Sequence, residues 1–139
     1  MTKTFIDTNI IIYANDAADE AKQIMAIDLV SGHIQDGLGV ISTQVMQEYT
    51  VNALKKLKQA MPFIMHQLHL LESLETVVIK PEQVRRALEI HSIYGISYWD
   101  ALIVAAAEHA GCTHILSEDL SAGQFYCGIE CVNPFAQAT

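Results

Sequence analysis

The chain has 139 residues, of which 51% are hydrophobic and 17% charged, and its formal net charge is −8. This length corresponds to a single domain spanning residues 1–139, and this hydrophobic content excludes a disordered chain. The acidic balance disfavours a broad nucleic-acid-binding surface, because phosphates are bound by Lys and Arg. It favours a cation site or a basic partner, although a local basic patch is compatible with an acidic total.

Three cysteines at loose spacing fit neither a disulfide framework nor a four-thiolate zinc site, and they indicate reduced thiols. The first apolar run is interrupted by Asp7, Thr8 and Asn9, so it is not a signal peptide. The longest apolar run, residues 101–107, is too short to cross a bilayer. We therefore expect a soluble, cytoplasmic protein with no membrane segment.

The first apolar stretch predicts a strand that ends by bringing Asp7 to an edge of a sheet. Thr8 or Asn9 is then expected to cap a helix over residues 9–14. In an open α/β sheet, ligands bind at the edge where strands end and helices begin. Asp7 is therefore the first candidate for a functional site.

Helices and strands alternate through the rest of the chain. The first long helix is predicted over residues 18–31, with Ile24, Ile27 and Val30 facing inward and Gly32 as its C-cap. Apolar periodicity and capping residues predict further helices at 43–58, from Pro62 onwards, at 81–95 and at 97–111. Strands are predicted at 38–41, 76–79, 114–116 and 129–132.

Residues 101–107 are apolar on every face, which predicts a central, buried helix. Together these elements predict an α/β fold in which helices cover both faces of a mostly parallel sheet.

Four acids lie where such a fold could bring them together: Asp7, Glu48, Asp100 and Asp119. Three of them, taken alone, also have a structural explanation. Asp100 could complete a capping box with Ser97, Asp119 is a turn residue for which Glu118 is equally eligible, and Glu48 could be a solvated helix residue. Asp7 is harder to explain in this way, because a lone buried charge is costly.

The sequence resembles the PIN-domain nucleases along nearly its whole length. The resemblance is carried by Phe-Ile-Asp-Thr-Asn at 5–9, Gln-Glu-Tyr at 47–49, Ser-Tyr-Trp-Asp-Ala-Leu-Ile at 97–103, Ile-Leu-Ser-Glu-Asp-Leu at 115–120 and Val-Asn-Pro-Phe at 132–135. One position departs from the family pattern. Many members have a basic residue just before the fourth acid, whereas this chain has Glu118.

The resemblance implies a Rossmann-like three-layer α/β/α fold with a mostly parallel sheet, and metal-dependent cleavage of single-stranded RNA. It assigns Asp7, Glu48, Asp100 and Asp119 to the acidic cluster, and Asn9 and Ser117 to supporting polar positions. Small members of the family resemble VapC-like toxins, which are held inactive by an antitoxin. A homodimer or an antitoxin complex would bury the hydrophobic surplus, and a housekeeping RNA-processing nuclease would have the same site.

Clustered carboxylates repel one another until a divalent cation neutralises them. An all-oxygen ligand set favours Mg²⁺ or Mn²⁺ over zinc. We expect Asp7 and Asp100 to bind the principal ion, with Glu48 and Asp119 completing the shell or orienting the attacking water. This chemistry requires no serine, cysteine or histidine nucleophile.

Two groups of basic residues are candidate phosphate contacts, although each also fits a solvated helix face. They are Lys55, Lys56 and Lys58, and Arg85 with Arg86. His66, His69 and Glu72 lie at helical spacing without a closing ligand motif, which favours a surface role over a metal site. Trp99 could stack on a base, but core packing is the expected role of the only tryptophan.

Three competing interpretations differ in the residues that they require. Haloacid-dehalogenase-like phosphatases require a second aspartate two positions after the first, where this chain has Asn9. A receiver domain requires paired acids after the first strand and a lysine after the last, and both are missing from the sequence. A non-catalytic PIN-like domain that binds a partner remains open, although the intact set of acids opposes it.

Overall fold

The computed structural model describes residues 1–136, and within them a six-stranded sheet is packed with helices on both sides. The elements in chain order are β1 (Lys3–Ile6), α1 (Thr8–Ala14), α2 (Glu20–Asp36), β2 (Gly39–Ser42), α3 (Thr43–Lys55), α4 (Met61–Leu71), β3 (Glu75–Val77), α5 (Pro81–Tyr94), α6 (Tyr98–Ala110), β4 (Cys112–Leu116), β5 (Phe125–Tyr126) and β6 (Ile129–Val132).

The strand order is β3-β2-β1-β4-β6-β5, and every neighbouring pair is parallel except β5 with β6. Strand β1 lies between β2 and β4, with Phe5 paired to Val40 on one side and to Ile115 on the other. These three side chains are fully buried, as expected for a parallel sheet covered on both faces. The predicted fold class is confirmed.

The seven residues from 101 to 107 are all buried, which confirms the prediction that α6 is central. Helix α6 begins at the N-cap Ser97 and ends at Gly111, whose φ of 76° is the left-handed conformation that glycine adopts readily. It packs against α5 and against strands β1, β2, β3, β4 and β6. The N-terminal turn of α6, which contains Asp100, is therefore fixed relative to the sheet.

The N-cap of α1 is Asp7, not Thr8 or Asn9 as predicted. Strand β1 ends at Ile6, and Asp7 keeps an extended backbone with φ −72° and ψ 160° while its carboxylate accepts from the backbone N–H of Thr8. Helix α1 consequently begins one residue earlier than the sequence indicated. One carboxylate thus ends the strand and begins the helix.

The prediction for α2 was wrong in its bounds and in two of the three residues of its inward face, since of these only Val30 packs against the core. The helix continues through Gly32 and ends at Gly37, which adopts φ 73°. Ala26 is fully buried, whereas Ile24 and Ile27 are 54% and 44% exposed. The inward face follows Ala26, with Leu29, Val30 and Ile34 partly buried against the core, because α2 packs on α1.

Two smaller differences concern the ends of elements. Helix α3 stops at Lys55, before Lys58 with its positive φ of 51°. Strand β5 was not predicted, and it forms a hairpin with β6 through Cys127 and Gly128, whose φ values of 53° and 78° fit a type I′ turn. In the described part of the chain, no helix is both long and apolar enough to cross a membrane.

Candidate active site

The candidate site lies where the parallel strands β1, β2 and β4 end. Asp7 follows β1, Ser42 ends β2 and caps α3, and Ser117 follows β4. The backbone N–H of Asp7 donates to the carbonyl of Leu116 at 3.0 Å, which aligns the ends of β1 and β4. This edge, where β1 is flanked by strands reached through separate crossovers, is the binding edge of an open α/β sheet.

Asp7 is held by hydrogen bonds to both carboxylate oxygens. Its Oδ1 accepts from the backbone N–H of Thr8 at 2.7 Å, and its Oδ2 accepts from the hydroxyl of Ser117 at 2.7 Å. The side chain is 4% exposed, so few orientations are open to it. Asp7 is therefore the most rigidly placed of the four acids.

Asn9 connects Asp7 to Asp119. Its side-chain NH₂ lies 3.4 Å from Oδ2 of Asp7 and 3.2 Å from Oδ2 of Asp119, and its Oδ1 accepts from the backbone N–H of Glu118 at 3.1 Å. The buried hydroxyl of Ser117 also accepts from the backbone N–H of Asp119 at 3.1 Å. Asn9 and Ser117, the predicted supporting residues, thus join the two ends of the chain at one place.

Glu48 reaches the same region from α3. Its Oε1 accepts from the hydroxyl of Thr8 at 2.5 Å, and its Oε2 lies 3.4 Å from the amide nitrogen of Gln44. Since Thr8 directly follows Asp7 in the chain, the Glu48 carboxylate is hydrogen-bonded to the residue next to the first acid. Glu48 is therefore not the fully solvated helix residue that its position alone would suggest.

Asp100 lies in the first turn of α6 and is partly buried. Its backbone N–H donates to the hydroxyl of Ser97 at 3.1 Å, which is the N-cap half of a capping box. Burial raises the pKa of Asp100, the hydrogen bond from Ser97 lowers it, and the charge of Asp119 raises it further. Asp100 is thus within electrostatic reach of the fourth acid.

The electrostatics indicate that the acids lie close enough to change the pKa of one another. Burial raises the pKa of Asp7 to about 7, against the lowering effect of its hydrogen bonds, and the charges of Asp119 and Glu48 raise it further. The thiol of Cys131 on β6 has a pKa raised to about 12, mainly by burial and then by the charges of Asp7 and Asp100. Asp7 and Asp100 therefore act on a common neighbour, and this thiol stays protonated at neutral pH.

Within residues 1–136, no three His, Cys, Asp or Glu side chains are close enough together to hold a metal ion. Polar groups from other residues stand between the acids: the amide of Asn9, and the hydroxyls of Thr8 and Ser117. The NH₂ of Asn9 bridges two carboxylates, a position that stabilises positive charge. The oxygen donors fit Mg²⁺ or Mn²⁺ by type, and closing around an ion would require side-chain rotation.

Sequence reasoning missed the partner of Glu118. The carboxylate of Glu118 forms a 2.6 Å ion pair with Lys22 on α2 and accepts from the hydroxyl of Tyr13 at 2.6 Å, and we call these three residues the Lys22 clamp. The Lys22 hydrogen bond lowers the pKa of Glu118. Glu118 thus contacts Lys22 and Tyr13, whereas Asp119 contacts Asn9. A lysine outside every motif gave no sequence signal.

The predicted basic contacts fall into two groups. Lys55 and Lys56, at the end of α3, are exposed and form no ion pair with the described residues. Arg85 is exposed on α5, whereas Arg86 forms two hydrogen bonds with Glu108, at 2.8 and 3.0 Å. Arg86 is therefore engaged with the C-terminal half of α6, about two turns from Asp100.

Two further expectations can be compared with the structure. His66, His69 and Glu72 are exposed, in agreement with a surface role. Trp99 is 62% exposed, so the expectation of core packing was wrong. The apolar stripe of α6 begins after Asp100, which leaves the indole at position 99 outside the core.

Residues 4–124 match the sequence model of the PIN domain. This chain belongs to the PIN-domain family. Members of this family are nucleases. The four predicted acids, Asp7, Glu48, Asp100 and Asp119, all lie within the matched region. The sequence matches no curated protein.

Solved structures similar to this PIN domain agree with its fold. A toxin–antitoxin complex from Klebsiella pneumoniae has a TM-score of 0.72 at 20% identity, covering 96% of this chain and 98% of the other. VapBC2 from Rickettsia felis, bound to a promoter DNA fragment, has a TM-score of 0.68 at 15% identity, covering 94% of this chain and 97% of the other. VapC20 from Mycobacterium tuberculosis, a toxin that cleaves the sarcin–ricin loop, has a TM-score of 0.66 at 17% identity, covering 84% of this chain and 92% of the other.

Proposed function

We propose that this PIN domain is a divalent-metal-dependent endoribonuclease that hydrolyses phosphodiester bonds in single-stranded RNA, as the toxin of a cytoplasmic toxin–antitoxin pair. The observation that carries the proposal is the Asn9 bridge, in which one amide contacts the carboxylates of both Asp7 and Asp119. Three polar side chains from opposite ends of the chain meet there. The bridge places two carboxylates from distant parts of the chain at one edge of the sheet, where a divalent cation would neutralise their repulsion.

Mg²⁺ or Mn²⁺ is the proposed cofactor, with Asp7 and Asp100 as the principal ligands and Glu48 and Asp119 completing the site. The all-oxygen donor set and the mutual repulsion of the acids support this choice. When bound, the ion would neutralise the carboxylates, lower the pKa of a water for attack and stabilise charge on the phosphate.

The residues of the chain have separate parts in this proposal. Ser117 and the backbone N–H of Thr8 orient the Asp7 carboxylate, and the hydroxyl of Thr8 orients Glu48. Asp119 is the exposed acid, so we assign it the orientation of the attacking water and the acceptance of its proton at a carboxylate oxygen. The exposed residues Lys55, Lys56 and Arg85 are the proposed phosphate contacts.

An antitoxin is the proposed protein partner. Structures similar to this chain are described as toxin–antitoxin or VapBC complexes. Helices α2 and α4 of this chain border an open cavity of about 580 Å³, lined in part by the exposed Ile27, Phe63 and Leu70. An exposed apolar groove on a soluble fold is typical of a protein-binding surface. We also propose a homodimer, which would cover other exposed apolar residues such as Leu88 and Ile93.

The activity is tested with single-stranded RNA and millimolar Mg²⁺ or Mn²⁺. We compare the wild type with Asp7→Asn, Asp100→Asn and the control Asp28→Asn, which removes an exposed acid of α2. We expect chelation to abolish cleavage, and both site variants to lose more than about 100-fold while the control stays unchanged. If both site variants cleave like wild type, the site is wrong.

The alternatives give different results in the same experiments. A wild-type chain that binds an antitoxin but cleaves no RNA with either ion would be a non-catalytic PIN domain. A housekeeping nuclease would cleave RNA without arresting growth when expressed. If the chain is a toxin, its expression should arrest growth. The Asp100→Asn substitution should relieve the arrest, and so should co-expression of a small DNA-binding protein encoded beside the toxin.

A further inference from the structure

Trp99 is the single tryptophan of the chain, and 62% of it is exposed immediately before Asp100. A single exposed apolar residue is common on protein surfaces and needs no special explanation. This indole, however, is supported: its ring lies edge-on to Tyr98, with centroids 5.3 Å apart and an interplanar angle of 79°. The hydroxyl of Tyr98 in turn donates to the carbonyl of Val84 at 3.3 Å. The indole is therefore an exposed aromatic surface on a fixed support.

Trp99 forms one wall of an open cavity of about 350 Å³, which we call the Trp99 cavity. The remaining walls come from α3: Gln44, Gln47, Glu48, Val51 and Asn52. Glu48 belongs both to this cavity and to the candidate active site, since it accepts from the hydroxyl of Thr8 beside Asp7. A single substrate could therefore occupy the Trp99 cavity and the candidate active site at the same time.

The walls favour a neutral, flat group over a phosphate. Three of the six lining residues carry neutral carboxamides, two are apolar, and the only charge is the negative carboxylate of Glu48. A phosphate would be repelled by that carboxylate and would find no Lys or Arg in the cavity. A nucleobase has the opposite properties, with an apolar face for the indole and a polar edge for the amides.

Gln44 joins the cavity to the acids. Its NH₂ donates to the carbonyl of Trp99 at 3.1 Å and lies 3.4 Å from Oε2 of Glu48. These two acceptors fix the orientation of the amide, so Oε1 is the remaining acceptor. In the described part of the chain, this Oε1 is the one buried side-chain polar atom without a hydrogen-bond partner. Gln44 thus ties the backbone of Trp99 to the carboxylate of Glu48.

We propose that the Trp99 cavity binds a base of the RNA substrate adjacent to the scissile phosphate. The indole of Trp99 stacks on the base, and the exposed amide of Gln47 bonds its edge. This inference rests on the proposed function, because it takes the nucleic acid at the acids as given. It assigns base preference to α3 and Trp99, and it separates base binding from the phosphate contacts of the lysines.

The single tryptophan makes the test direct, because fluorescence excited at wavelengths that the five tyrosines do not absorb reports on position 99 alone. The full chain carrying Asp7→Asn, which is not expected to cleave, is titrated with single-stranded oligoribonucleotides. The matched control is an abasic oligonucleotide of the same length, which has the same phosphates and no bases. We expect quenching by the base-containing oligonucleotides and none by the abasic one. Equal quenching by both, or none by either, overturns the proposal.

A second arm uses variants in the wild-type background. Trp99→Ala should raise the KM for RNA cleavage by about 5- to 150-fold, with a smaller change in kcat, and Trp99→Phe should restore part of the loss. Phe125→Ala, which removes another exposed aromatic residue on β5, should leave KM unchanged. Gln47→Ala should change the ranking among homopolymers. An unchanged KM for Trp99→Ala overturns the proposal.

The outcomes distinguish this inference from the proposed function. Base-dependent quenching by a wild-type chain that cleaves no RNA supports the Trp99 cavity and overturns the nuclease assignment. Cleavage by wild type and by Trp99→Ala with equal KM keeps the nuclease and overturns the cavity. If the emission of Trp99 changes with dilution of the protein and not with oligonucleotide, the indole belongs to an interface between two copies, which also overturns the proposal.

Discussion

The hydroxyl of Ser117 donates a 2.7 Å hydrogen bond to Oδ2 of Asp7, a residue 110 positions earlier in the chain. The bond fixes the direction of the Asp7 carboxylate at the centre of the sheet edge. It does not compensate for removing the carboxylate from water, because burial still raises the pKa of Asp7 to about 7. The acid that is best placed for function is therefore a source of instability when it is ionised.

Replacing Asp7 with Asn should stabilise the metal-free protein above neutral pH. The folded state holds the Asp7 proton up to about pH 7, whereas the unfolded chain releases it near 3.8, so the stability of the wild type falls as pH rises between these values. Asn removes this loss while keeping a capping oxygen. We expect a gain of about 1–4 kcal/mol in the free energy of unfolding at pH 8, measured by denaturant titration.

The same variant has an internal control. At pH 3 the gain should nearly disappear, since Asp7 is then largely protonated in both states. Millimolar Mg²⁺ or Mn²⁺ should raise the thermal midpoint of the wild type, because the ion relieves the repulsion among the acids, and should raise that of Asp7→Asn less. An equal rise in both proteins would mean that the ion binds elsewhere.

Breaking the Lys22 clamp should weaken the placement of Asp119 without removing a metal ligand. In Glu118→Gln the charge pair with Lys22 is lost, and the neighbouring Asp119 loses a fixed backbone. We expect a severalfold higher concentration of Mn²⁺ for half-maximal cleavage, together with a smaller change in kcat. The charge-reversed pair Lys22→Glu with Glu118→Lys should recover part of the loss, which a change confined to Glu118 chemistry would not allow.

The clamp also has a defined pH dependence. Since Lys22 lowers the pKa of Glu118 below its ordinary 4.5, the stabilisation from this pair is present above that pH and is lost as pH falls through the lowered value. Thermal midpoints of wild type and Glu118→Gln should therefore differ at pH 7 and converge in strong acid. A constant difference across this range would show that the variant acts through packing.

An acidic substitution in the groove between α2 and α4 should disrupt the proposed antitoxin complex. Ile27→Asp or Phe63→Asp places a charge on an apolar surface, and we expect affinity for the antitoxin to fall by more than about tenfold in a calorimetric titration. Leu88→Asp, which changes a more exposed apolar residue on α5, should leave that affinity intact. If Leu88→Asp is the damaging variant, the antitoxin binds the other side of the molecule.

Two glycines should respond in opposite ways to alanine. A Cβ at Gly39 would lie 2.6 Å from Cδ2 of Leu74 and 2.7 Å from Cβ of His33, so Gly39→Ala should lower the free energy of unfolding by about 1–3 kcal/mol. Gly32 has nothing within 4 Å and lies inside α2, so Gly32→Ala should raise it by about 0.5–1 kcal/mol. Denaturant titration of each variant measures its free energy of unfolding.

The central elements were predictable because sequence and packing agree there. In strand β1 and helix α6, the residues that are buried are apolar. The pattern of apolar residues alone therefore predicted both elements. The four acids lie at the ends of such elements or on helices beside them, and a parallel sheet brings these ends to one edge. Asn9 and Ser117 came from the family resemblance, and the structure brings them together with Asp7 and Asp119.

The errors came from surfaces and from contacts distant in sequence. Ile24 and Ile27 were predicted to face inward because apolar residues on a helix normally do, but here the close approach of α2 to α1 selects Ala26. Trp99 was placed in the core for the same reason. Periodicity cannot distinguish a core from a surface that binds another molecule. The pairing of Lys22 with Glu118 spans 96 positions and leaves no local pattern.

Asn9 and Asp119 are 110 positions apart, and this separation sets an order of events during synthesis. At about 5–20 residues per second, a ribosome needs roughly 5–20 s to add the second partner after the first. Throughout that interval the emerging chain carries Asp7 without Asp119. Under the proposed assignment, a chain that has not yet reached Asp119 lacks one of its four acids and should cleave no RNA.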